Sequence, residues 1–264
     1  RLLTHGQIAF GYEGFSPIKV SISQFYGIEI NDFAVTVART ALWIAENQMM
    51  KETEDIVHMQ LDFLPLKTNA YIVEGNALRI DWNDVVDKSR LNYIMGNPPF
   101  VGARWMNSLQ KKDVDYIFKG WKNIGDLDYV ACWYKKASDM IRGTSIRCAL
   151  VSTNSISQGE AVSILWKPLF DEGVHIDFAY RTFIWDSEAS IKAHVHCVII
   201  GFSVALNNKK KMIYSEGSAI EAKNINGYLI DADSVFIEKR TKPISNVPQI
   251  ILGGQAIDDG NFIL

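Results

Sequence analysis

With 264 residues, 48% hydrophobic and 22% charged, the chain has the balance of a folded domain with a sizeable core, and a disordered or fibrous chain is excluded. Its 27 basic and 30 acidic side chains leave a net charge of −3. That argues against an autonomous, sequence-independent nucleic-acid binder but leaves room for one basic groove. Three cysteines, Cys132, Cys148 and Cys197, have no framework spacing, so a reducing cytoplasm is the expected setting. No apolar run reaches the roughly 20 residues of a membrane span, and no signal peptide opens the chain. Arg1-Leu2-Leu3 reads as the tail of a helix already under way, and the chain as a fragment of a longer protein.

Short apolar runs alternate with helical stretches, the pattern of an open parallel sheet. Gln24 to Ile30 is an expected strand. Asn31-Asp32 caps an expected helix through about Met50, in which Phe33, Val37, Thr40, Ala41, Ile44 and Ala45 recur at helical spacing. Ala70 to Glu74 is a second strand, ending in the turn Gly75-Asn76. Tyr93 to Met95 is a third, stopped at Gly96-Asn97-Pro98-Pro99 because proline donates no ladder hydrogen bond. Residues 103–122 read as a mobile loop with a short helix, and Asp126 to Ile141 as an amphipathic helix. Arg147 to Thr153 is an expected buried strand, and Ala161 to Glu172 a helix interrupted by Pro168. His175 to Ile184 and His194 to Phe202 are strands whose link is too short for a helical crossover, so they should pair antiparallel. Beyond Phe202, the charged turn Asn207 to Lys211 leads into short strands and turns that include Gly253-Gly254 and Asp258-Asp259-Gly260.

Asn97-Pro98-Pro99-Phe100, directly after an apolar strand, carries the sharpest chemical signal. An exocyclic amino group on a nucleobase is a poor nucleophile, because its lone pair is delocalised into the ring. Two acceptors around its N–H bonds would pull the nitrogen towards tetrahedral geometry and aim the lone pair at an electrophile. The Asn97 side-chain carbonyl and the Pro98 backbone carbonyl are the candidates, preorganised because the two prolines fix φ. Phe100 offers a face on which a flipped base can stack. The plainer alternative is a rigid turn that merely ends a strand.

This motif, following Leu91 to Gly96, resembles the catalytic motif of S-adenosylmethionine-dependent adenine-N6 DNA methyltransferases, and the order of further segments agrees. In that family the strand before the cofactor's ribose ends in an acid, matched here by Glu29 with Ile30 beside it. Glu29 would accept hydrogen bonds from the two ribose hydroxyls; the alternative is a charge placed at a helix N-terminus. The next family motif usually sets an Asp against the cofactor's adenine. Asn76, followed by Ala77, stands in its place. Asparagine keeps an acceptor and adds donors, and a simple Gly-Asn turn is the alternative. Phe183 to Phe202 and Pro248 to Gly260 also resemble segments of the large fused type IIG/IIL restriction–modification methyltransferases and their phage-defence relatives, so that the resemblance covers about residues 20–260.

The resemblance implies an α/β fold, a Rossmann-like class I methyltransferase sheet with a C-terminal antiparallel β-hairpin. It implies methyl transfer from S-adenosylmethionine to N6 of a flipped adenine in double-stranded DNA, by a cytoplasmic bacterial restriction–modification or phage-defence enzyme. Residues 1–205 would be the catalytic domain, and 206–264 a linker and the start of a target-recognition domain. Related motifs also serve protein-glutamine and RNA amino groups, so those substrates stay open. One departure stands out. The family's glycine-rich cofactor loop should precede Glu29, yet residues 1–23 hold Gly6, Gly11 and Gly14 without such a loop. The first strand and the methionine end of the cofactor site are therefore expected to be missing, and the chain by itself to be inactive. His194-Val195-His196-Cys197 is not expected to bind metal, because on a strand Cys197 points away from the two histidines. Lys111, Lys112, Lys119 and Lys122, interleaved with Trp105, Tyr116, Phe118 and Trp121, read either as a surface for a displaced strand or as an ordinary amphipathic loop.

Overall fold

The computed structural model describes residues 20–58, 70–185, 195–206 and 209–238. The N-terminal glycines, His194 and the Pro248 to Gly260 segment lie outside the described residues. Strand β1 (Tyr26–Glu29) runs into helix α1 (Asp32–Val57), whose N-cap Asn31 accepts a hydrogen bond from the Ala34 N–H. The helix outlasts its expected end near Met50, because residues 51–57 contain no breaker; it stops where His58 turns left-handed at φ 52°. Strand β2 (Tyr71–Glu74) pairs with β1 in parallel, with Tyr26 beside Tyr71 and Glu29 beside Glu74. Val35 on the helix and Ala70 and Ile72 on the strand side form a small core of their own.

The remaining strands form a second sheet. They are β3 (Tyr93–Gly96), β4 (Arg147–Thr153), β5 (His175–Trp185), β6 (Val195–Ser203), β7 (Lys211–Ser215) and β8 (Ser218–Ala222). Their order is β3-β4-β6-β5-β7-β8. β3 lies parallel to β4, while β6 runs antiparallel to both β4 and β5, as the short 185–192 link requires. β7 then adds in parallel to β5, and Ile213, Ala222, Ile225 and Leu229 join the main core.

Three elements differ from their expectation. Within residues 103–122 the expected short helix runs to ten residues. A 3-10 turn over Ala103–Trp105 precedes helix α2 (Ser108–Ile117), which is fixed by a reciprocal capping box between Asn107 and Gln110. The amphipathic helix begins late: Ile124–Asp126 is a 3-10 turn, and helix α3 spans Ala131–Ile141. Helix α4 runs through Gly159–Ala161 and a π turn at Val162–Trp166 into Lys167–Asp171. Pro168 therefore does not break it. The widened turn just before the proline absorbs the missing N–H and the ring's clash with the preceding turn.

The main core packs α3 and α4 against the sheet. Tyr134, Trp166 and Phe202 are fully buried and meet as an aromatic cluster, with Tyr134 stacked on Phe202 at 5.4 Å and edge-on to Trp166 at 5.5 Å. Their polar ends are satisfied: the Tyr134 hydroxyl lies 3.0 Å from Ser152 Oγ, and Trp166 Nε1 donates to the Ile156 carbonyl at 2.9 Å. Gly201 on β6 is required by close approach, since a Cβ there would lie 2.0 Å from Phe178 Cε1. Gly201→Ala is expected to destabilise the fold by about 1–3 kcal/mol. Thermal melts of Gly201→Ala, Phe178→Ala and the pair should show that cost falling to near zero once the ring is gone. Equal cost in both backgrounds would contradict the overlap.

Candidate active site

A cleft of about 830 Å³ opens between the two sheets. β1 and β3 line it along their whole lengths, and the turns that follow β1, β2 and β3 meet in it. Glu29, Ile30, Asn76, Ala77, Asn97, Pro98 and Pro99 all line this one space, although they are spread over some seventy residues of sequence. Phe100 is the exception: it is half-buried and is not part of the lining.

The β1 and β2 turns are locked to each other. The Gly75 N–H donates to the Glu29 carbonyl at 2.8 Å, and Gly75 holds φ 151°, where a Cβ would meet Ile80 Cδ1 at 2.4 Å. Glu29 accepts the Ile30 N–H at 2.9 Å through one carboxylate oxygen, which orients the side chain. Ile30 is exposed beside it. Ala77 offers its carbonyl to Trp82 Nε1 at 2.8 Å.

Asn76 is bonded at both ends. Its Oδ1 accepts the Leu78 N–H at 2.9 Å, and its Nδ2 donates to Asp113 Oδ2 at 3.0 Å. Asp113, buried on α2, also accepts from Arg79 Nε at 2.6 Å and from the Tyr129 hydroxyl at 2.8 Å. Burial alone would raise the Asp113 carboxyl. The hydrogen bonds from Asn76, Tyr129 and Arg79, with the Arg79 charge, outweigh it and hold the carboxyl below its usual range. Burial and the neighbouring Asp113 carboxylate push the Tyr129 hydroxyl well up, so it stays a donor. Burial likewise pushes the Cys132 thiol up to about 12, which leaves it protonated and unreactive.

The turn after β3 is braced from below. The Tyr129 N–H donates to the Val101 carbonyl at 2.9 Å, and Asp128 Oδ1 accepts the Ala103 N–H at 2.8 Å. The other Asp128 oxygen accepts Ser155 Oγ at 2.5 Å, tying the turn to the end of β4. Pro98 is buried, and Asn97 is exposed on the cleft wall. The turn is thus rigid where it is anchored and open where a ligand would meet it.

A family model described as the DNA-methyltransferase domain of MmeI matches residues 5–215. The chain belongs to this MmeI-type methyltransferase family. It is similar to "DNA methyltransferase A" of Bacillus subtilis (strain 168), with 40% identity over 247 residues, 92% of this chain and 28% of that protein. It is also similar to the solved type IIL restriction–modification enzyme MmeI in complex with DNA. That match has 43% identity and a TM-score of 0.90, covering 99% of this chain and 37% of that one. The chain therefore spans about a third of the length of these relatives.

Within this MmeI-type domain, Asp113, Asp128 and Tyr129 are site residues that motif reading passes over. The Asp128-Tyr129 pair sits in a conspicuous GDLDY run, whereas Asp113 is flanked by Lys111, Lys112 and Asp115 and looks like one more solvated charge. The aromatic and basic mixture after the Asn97-Pro98-Pro99 turn divides: Trp105 and Tyr116 are exposed with the lysines, while Phe118 is buried and Trp121 packs on it at 5.1 Å. His196 is exposed and Cys197 buried, and no group of three potential metal ligands occurs among the described residues. No helix among them is long and apolar enough to cross a membrane.

Proposed function

We propose that this domain transfers a methyl group from S-adenosylmethionine to the N6 amino group of an adenine flipped out of double-stranded DNA, as the catalytic core of a bacterial, cytoplasmic restriction–modification enzyme. The observation that carries the reading is the single cleft in which Glu29, the Asn76 turn and the Asn97-Pro98 turn converge. The donor set fits the adenosine half of the cofactor: a carboxylate for two ribose hydroxyls, an amide and a backbone turn for the purine edge, and the exposed Ile30 for its face. When bound, S-adenosylmethionine supplies an electrophilic methyl group.

Glu29 binds the ribose. Asn97 and the Pro98 carbonyl hold the two N–H bonds of the target amine, so that its lone pair leaves conjugation and points into the cleft. The prolines fix those acceptors before substrate arrives, so no reorganisation is required at the moment of reaction. Phe100, next in sequence but half-buried and outside the cleft lining, is the face on which the flipped base would stack as it enters. Arg104, Trp105, Lys111 and Lys112, exposed beside the cleft, are the surface offered to the duplex. In the proposed layout the catalytic domain does not end at residue 205, because β7, β8 and the core residues through Leu229 continue its sheet, and the chain beyond them leads into target recognition.

Incubation of the full-length protein with DNA and cofactor carrying a tritiated methyl group tests the reaction. Label is expected on N6 of adenine in DNA; label confined to protein or RNA would refute the DNA assignment. Glu29→Gln is expected to weaken cofactor binding by about 10- to 100-fold, from loss of charged hydrogen bonds of about 1.5–3 kcal/mol. Calorimetry with S-adenosylmethionine measures it, and unchanged affinity would remove Glu29 from the site.

A further inference from the structure

We propose that Asp113 is a positioning residue that sets the Asn76 amide to read the 6-amino group of the cofactor's adenine, in the role an acid at the Asn76 position would otherwise fill. The inference rests on the S-adenosylmethionine reading above.

An asparagine amide is ambiguous by itself, because a half-turn about its last bond exchanges its oxygen and nitrogen. Here the ambiguity is removed from both sides. Asp113 lies 3.0 Å from one end and accepts only, being ionised and already holding the Arg79 and Tyr129 donors. The Leu78 N–H lies 2.9 Å from the other end and donates only. The nitrogen must face Asp113 and the oxygen must face Leu78. One lone pair on that oxygen is left for a ligand in the cleft, which both residues line.

An acceptor at this position selects an amino group over a carbonyl at purine C6. A carboxylate at position 76 would do so unaided. With asparagine there, the selection is borrowed from a charge one residue behind it, on a different element. Asp113 is held for this task. Its side chain is 7% exposed, and Arg79, pinned over the Tyr116 ring at 4.5 Å, neutralises it on the outer side. The Tyr129 hydroxyl reaches the same carboxylate, and the Tyr129 backbone N–H holds the catalytic turn at Val101. The amide that reads the purine, through Asp113, and the turn that carries Asn97 therefore hang on the two ends of one residue.

The test compares S-adenosylmethionine with its 6-oxo (inosine) counterpart by calorimetry, with thermal melts alongside. Wild-type protein is expected to prefer the amino form by at least about tenfold, the worth of one hydrogen bond against one unpaired acceptor. Asp113→Asn removes one of the two restraints on the amide and leaves only the Leu78 N–H to hold its oxygen, and that preference should fall several-fold. Asn76→Asp alone sets two carboxylates together and should weaken both ligands. The double variant Asn76→Asp/Asp113→Asn restores one carboxylate to the pair and should recover the preference for the amino form. A structural role alone would lower the melting temperature and both affinities together, without changing their ratio. A wild-type ratio kept in Asp113→Asn, no ratio in wild type, or no recovery in the double variant would overturn the assignment. If the single variant does not fold, the double variant still decides through its ratio. Failure of the cofactor reading is separate: wild-type protein would then bind neither ligand, or Glu29→Gln would bind as wild type does.

Discussion

Asn97→Ala is expected to lower the rate of methyl transfer by about 10²–10³-fold, the cost of one preorganised contact that strengthens only in the transition state (~2.7–4 kcal/mol). Cofactor affinity should stay near its wild-type value, because Glu29 and the Asn76 turn reach the cleft from other strands. The turn itself should survive, since its braces run through the Val101 carbonyl and the Ala103 N–H and not through the Asn97 side chain. Single-turnover rates with pre-bound cofactor and DNA isolate the step. A rate within a few-fold of wild type would remove Asn97 from the chemistry, and equal losses in rate and cofactor affinity would point to a distorted cleft instead.

Trp166→Ala should have the largest effect on stability, about 3–5 kcal/mol, which for a chain of this size lowers Tm by roughly 6–20 °C. The indole is fully buried, edge-on to Tyr134 and near Phe202 and Phe170. It also donates to the Ile156 carbonyl, in the turn that leaves β4. Its removal opens a cavity and orphans that carbonyl. Trp166→Phe should cost less, since most of the volume stays and the lost hydrogen bond dominates. Thermal and denaturant melts of both variants measure the difference. Equal costs would mean that the cavity contributes little.

The path from sequence to site was direct where chemistry and backbone are local. Asn97-Pro98-Pro99 is rigid because of its own residues, Glu29 ends β1 and Asn76 follows β2, so strand ends and turns mark the cleft. What could not be read was set by long-range packing. Asp113 stands 37 residues from Asn76, and nothing near it distinguishes it from the solvated charges on the same helix; only burial does. The helix start was misplaced for a related reason. Leu127 and Val130 are buried as an amphipathic helix demands, but Asp128 is drawn out to brace the turn after β3, so regular helix waits until Ala131. At Pro168 the local rule for a break was met by a π turn that tertiary packing of Val162, Leu165 and Trp166 sustains.

Among the described residues, the two walls of the cleft pack on separate hydrophobic clusters. The wall that carries Asn97 belongs to the sheet built on the aromatic cluster, whereas the wall that carries Glu29 rests on Val35, Ala70 and Ile72. The second wall is moored to the first beyond β2, where Leu78 enters the main core, Lys136 Nζ donates to the Leu78 and Ile80 carbonyls, and Asp113 holds Asn76 and Arg79. A ligand that grips Glu29 and Asn76 together therefore does two things at once. It fills the cleft, and it clamps the second wall against its mooring. A substitution that adds contacts between β1–β2 and that mooring is therefore expected to favour the bound arrangement without touching the ligand.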